Sequence, residues 1–83
     1  MAELAARFDA RAAEERQALA AALASEDRGA IVGMAHKLAG IAGMFHRDEI
    51  GAAALALEEA AEAGHDMAVP AAHLDTLLAR LID

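Results

Sequence analysis

Apolar positions recur at helical spacing along most of the chain. Near the C-terminus, Leu74, Leu77, Leu78 and Leu81 fall at i, i+3, i+4 and i+7, the stripe of an amphipathic helix. At the other end, Leu4, Phe8, Ala12, Leu19 and Leu23 lie near one face of a helix predicted over about residues 2 to 24. The middle of that helix, Glu14-Glu15-Arg16-Gln17, is polar and reads as solvated. Ser25 followed by Glu26 and Asp27 has the form of an N-cap with acid in the first turn, where the helix dipole favours it. A second helix then extends to about Phe45 or His46. Asp48 and Glu49 repeat the start signal for a third, which ends near Gly64. After a short connection, Pro70 fits the first turn of a fourth. Four helices with short connections predict an all-α, antiparallel up-down four-helix bundle.

Composition agrees. Eighty-three residues make one small domain over residues 1–83. Alanine accounts for 26 of the hydrophobic residues, so the 58% hydrophobic content overstates the large-residue core while strengthening the case for helix. Cysteine is absent, which removes disulfides and thiolate metal sites. The net charge of −7 argues against nucleic acid, whose binding needs a basic face. No apolar run is long enough to span a bilayer, and Glu3, Asp9, Glu14 and Glu15 do not fit a signal peptide. The expectation is a cytoplasmic domain without a membrane or nucleic-acid partner, acting as a monomer. A weak homodimer through the Ala-rich first helix stays open, and Met1 reads as the start of a free-standing domain.

The second helix is unusual. Four of the chain's six glycines, at 29, 33, 40 and 43, fall within it. On a helical wheel Ile31, Met34, Leu38, Ile41, Ala42 and Phe45 lie within roughly 50° of one direction, the predicted core stripe. His36 lies nearly opposite, and the four glycines fall within about 60° of it. Four glycines in place of alanine give up about 2–4 kcal/mol of helix stability. That loss makes sense if a partner must bring its own backbone close to an exposed imidazole. The alternative is close packing inside the domain, but the glycines point away from the large apolar stripe. Residues 28 to 47 also carry Arg28, Lys37 and Arg47 and no acid, so this segment is +3 while the remainder is −10. Lys37 neighbours His36, and the wheel puts Arg47 about 20° from it.

The run AHKLAGIAGMF, residues 35 to 45, resembles the signature of histidine-containing phosphotransfer domains, the HPt family of two-component relays. The matching positions are His36, Leu38 two residues on, Gly40 four on and the small Gly43 seven on, with Lys37 as a common companion. The segment DEIGAAALALEEAAEAG is similar to the helix that follows, including its Leu-Glu pair. The resemblance implies that His36 is a phosphoacceptor and that Lys37 balances phosphoryl charge. It implies a receiver domain of a response regulator, a hybrid histidine kinase, or both, as partners. Gly33, Gly40, Gly43 and Arg47 would face that partner. The Mg²⁺ for the transfer would reside on the receiver, so no metal or other cofactor is expected on this chain. Two positions depart from the family: His46 stands where many members have glycine, and Ala39 where a second basic residue is frequent.

Other readings share the fold. A non-catalytic helical adaptor would dock a signalling partner on the glycine face with no chemistry at His36. His46, His65 and His73 have no metal-ligand spacing such as HExxH. Nor is there a Gly-rich segment or room for an ATP-binding domain, so the chain is expected to have no kinase activity of its own.

Overall fold

The computed structural model describes residues 2–82, with side chains from Ala6 onward; Leu4, placed on the first apolar stripe above, lies outside the described side chains. The described residues form five helices and no strand: α1 (Ala2–Ala10), α2 (Ala12–Ser25), α3 (Arg28–Met44), α4 (Asp48–Ala63) and α5 (Ala68–Ile82). The fold is all-α, but the single first helix expected from the sequence is two. The chain turns at Arg11, whose N–H reaches the Phe8 carbonyl at 3.0 Å in a tightened turn. No glycine or proline causes this break. It lets Phe8 turn inward, where its ring is 2% exposed and packs on Phe45 with centroids 5.9 Å apart. Asp9 beside it accepts two hydrogen bonds from the Arg47 guanidinium.

The start of α3 also differs from expectation. Its N-cap is Asp27, which accepts from the Ala30 N–H at 3.0 Å. Ser25 instead closes α2, its hydroxyl donating to the Ala22 carbonyl, and Glu26 turns the chain in the left-handed region at φ 55°. Three polar residues in a row could each cap; the one preceded by a left-handed turn does so. Gly64 ends α4 at φ 74°, as its sequence position indicated. At the start of α5 the Asp66 carboxylate accepts from the Ala68 N–H, and Pro70 lies in the first turn.

Helices α3 and α4 run antiparallel to one another. Arg28 at the start of α3 donates to the Ala61 carbonyl near the end of α4, while Gly51 near the start of α4 lies against Ala39 and Ala42. On the opposite side, Arg16 of α2 holds Asp75 of α5 through two hydrogen bonds of 2.8 and 3.1 Å. That guanidinium lowers the pKa of Asp75 below the usual carboxylate value, by hydrogen bonding more than by bare charge. The pair therefore stabilises the fold above the ordinary carboxylate range and loses its effect as the pH falls through the lowered value. Both side chains are about 40% exposed, so solvent keeps this contribution modest.

The core holds Phe8, Leu19, Ile31, Leu57, Leu74 and Leu78 almost wholly covered, with Ala12, Ala35, Ala42, Ala53, Ala54, Ala61 and Ala71 between them. Small residues let the backbones approach. At Gly51 even a methyl group would meet the Ala39 carbonyl at 3.5 Å and Ala42 at 3.7 Å. This is the glycine that serves packing.

His46, like Glu26, is a costly turn residue. It adopts φ 62° between α3 and α4, a region where a side chain costs roughly 1–2 kcal/mol and glycine almost nothing. His46→Gly is expected to stabilise the domain by about 0.5–1 kcal/mol after the added freedom of the unfolded chain is allowed for. Thermal unfolding would then shift upward by about 3–6 °C. A downward shift would mean that the imidazole contributes more than its backbone conformation costs.

Candidate functional site

The exposed surface of α3 depends on which residues the helix buries. These are Ile31, Ala35, Leu38 and Ala42, whereas Met34, Ile41 and Phe45 are only partly covered. The buried set is centred about 130° from His36, toward α4, and not nearly opposite it. Weighting the wheel by large side chains hid the role of Ala35. Consequently His36 stands at the border between α3 and α4 and can reach across.

It does so. His36 Nδ1 lies 3.0 Å from Glu58 Oε2 and 3.3 Å from Oε1. A carboxylate can only accept, so Nδ1 carries the hydrogen and Nε2 of the neutral ring holds the free lone pair. The two partners differ in exposure: the imidazole is 78% accessible, the carboxylate 12%. The half-buried partner orients the ring, and the exposed partner presents a nucleophilic nitrogen to solvent. Glu58 was given no role by the sequence, although it belongs to the Leu-Glu pair noted there. The available signal was distance from the α3–α4 turn, since in antiparallel neighbours residues roughly equidistant from the turn face one another.

Around this nitrogen the surface is open. Gly33, Gly40 and Gly43 are exposed, and a methyl group on any of them would meet no other atom within 4 Å. None is needed for packing within the domain. Gly29 differs, since a methyl there would touch the capping carboxylate of Asp27 at 3.5 Å. Lys37 is exposed and, among the described residues, enters no ion pair. Met44, 72% exposed, projects from the end of the same helix.

The cationic surround expected from the sequence is thinner than the charge count implied. Arg28 is bonded to the Ala61 carbonyl at the far end of α3. Arg47 is half-buried against Asp9. Helix α3 stops at Met44, so wheel geometry does not carry through to Arg47, and its place 20° from His36 is not realised. Lys37 is the cation of this segment left beside the imidazole. His46, His65 and His73 are exposed and lie apart in the α3–α4 turn, the α4–α5 connection and α5. Among the described residues no three or more His, Cys, Asp or Glu side chains are grouped to hold a metal ion, and no helix is long and apolar enough to cross a membrane.

Compared with known proteins, residues 3–83 match a family model described as Hpt domain. No curated protein and no solved structure matches the chain.

Proposed function

The chain belongs to the Hpt domain family, whose members carry out histidine phosphotransfer in two-component signalling, and on that premise we propose that it relays a phosphoryl group through a phosphohistidine at His36. The exchange runs between receiver-domain aspartates, or from a hybrid histidine kinase to a response regulator, in the cytoplasm. The observation that carries this reading is the exposed imidazole anchored by a half-buried carboxylate on a glycine-lined face.

The chemistry follows from the tautomer. Nε2 attacks the phosphorus of an aspartyl phosphate, an N–P bond forms, and the P–O bond to the aspartate breaks with that carboxylate as leaving group. While Nδ1 keeps its hydrogen, the phosphorylated ring carries positive charge. The Glu58 carboxylate, 3.0 Å away, stabilises that charge as it develops. Lys37 balances the phosphoryl oxygens from the other side. The metal that neutralises the aspartyl phosphate belongs to the receiver, and no residue of this chain is assigned to it.

The test is transfer from a phosphorylated receiver with Mg²⁺ present, followed by the stability of the product. An acid-labile, base-stable label on the native chain is expected, with the phosphorus on Nε2 by nitrogen NMR. No label across several receivers would favour the adaptor reading instead.

Glu58 gives a second handle on the same site. A hydrogen bond to a charged group contributes about 1.5–3 kcal/mol, but the exposure of His36 favours the lower end. Glu58→Ala is therefore expected to slow transfer by about tenfold. It should also release the ring into a mixture of tautomers visible by NMR. An unchanged tautomer would remove Glu58 from the mechanism.

A further inference from the structure

Helix α1 is joined to α2 by the single residue Arg11, at φ −92° and ψ −7°, and the local sequence gives no reason for a break. Residues 2 to 24 hold neither glycine nor proline and are dominated by alanine, the strongest helix former. The interruption also leaves the first amides of α2 without a side-chain cap. A continuous helix would supply those amides with carbonyl partners from α1. Tertiary contact opposes this: Phe8 packs on Phe45, and Asp9 takes both hydrogen bonds from Arg47. These contacts lie in two adjacent residues of α1 and in the turn after α3, and α1 also touches α5. Nothing in their geometry requires both halves to come from one chain.

We propose that two copies of this chain exchange α1. The Arg11 hinge straightens, α1 and α2 become one helix, and Phe8 and Asp9 of each copy occupy the Phe45–Arg47 site of the other. A short hinge interrupting an otherwise continuous element is the arrangement that invites such exchange. The Phe8–Phe45 and Asp9–Arg47 contacts are kept across the two copies, the packing of α1 on its own α2 is given up, and the amides at the start of α2 gain partners. Association costs entropy, so the monomer prevails when dilute and the exchanged dimer grows with concentration.

Charge reversal tests this directly. Asp9→Arg alone sets two cations against each other, and Arg47→Asp alone sets two anions. A mixed pair of these variants restores both ion pairs only across the exchanged dimer. Native mass spectrometry of an equimolar mixture, one variant carrying ¹⁵N, is expected to show at least tenfold more heterodimer than homodimer from either variant alone. A mixture that stays monomeric while both variants keep their helicity overturns the proposal. If either variant fails to fold, the double variant Asp9→Cys/Arg47→Cys decides. Its sedimentation, with the ion pair removed, is compared with that of the native chain: a concentration-dependent dimer of the native chain that this variant loses is expected, and a native chain monomeric at every concentration overturns the proposal.

Discussion

Replacing His36 with glutamine is expected to abolish phosphoryl transfer from a phosphorylated receiver while leaving the helical content of the domain unchanged. The side chain is 78% exposed, and the bond it makes is to Glu58, so no core volume is lost. Glutamine is also a good helix former, and an exposed substitution of this kind shifts stability by no more than about 0.5 kcal/mol. What disappears is the nucleophile, because an amide nitrogen has no basic lone pair at neutral pH. Labelling should therefore fall to background and not by a modest factor. His46, His65 and His73 provide an internal control, since all three are exposed and remain in the variant. A label that survives the substitution would move the acceptor to one of them. A collapsed circular dichroism spectrum would mean that His36 is structural.

Much of this organisation is visible in the sequence, and the parts that are not share a cause. Helix periodicity, the acidic start of α4, the glycine that ends it and the leucine stripe of α5 are local signals and can be read locally. The bend at Arg11 is not local: the chain there prefers helix, and the bend exists because Phe8 finds Phe45 and Asp9 finds Arg47. The same two contacts explain why Arg47 looks like part of the phosphate surround on a wheel yet is half-buried elsewhere. Glu58 is a second case. Its importance depends on where α4 lies against α3, which in turn depends on the close approach at Gly51 and on Ala35 being fully buried. Alanines carry this packing, and an eye trained on large apolar residues passes over them. The imidazole and its glycine surround could be named from residues 28 to 47 alone; the group that orients the imidazole required the neighbouring helix.

The same substitution at two glycines should have opposite consequences, and the contrast separates docking from packing. At Gly40 a side chain enters open space, with nothing within 4 Å of its first carbon. Gly40→Gln should therefore gain helix propensity, about 0.5–1 kcal/mol, and raise the unfolding midpoint by about 3–6 °C. At Gly51 the first carbon already meets the Ala39 carbonyl at 3.5 Å and Ala42 at 3.7 Å, so a glutamine is crowded against α3 there as it is not at Gly40. Overpacking of that kind costs about 1–3 kcal/mol, so Gly51→Gln should lower the midpoint. Function should divide the other way at Gly40. One turn from His36, the new side chain stands where the backbone of a receiver must come if its aspartyl phosphate is to meet Nε2. Displacing reacting atoms by about 1 Å is enough to cost roughly a hundredfold in rate. A more stable domain that transfers about a hundredfold more slowly is thus the expected phenotype of Gly40→Gln, measured by single-turnover transfer beside thermal unfolding. Stabilisation with unchanged transfer would leave the open glycine face without a partner to explain it. Loss of both stability and transfer would mean that Gly40, like Gly51, is there for the fold.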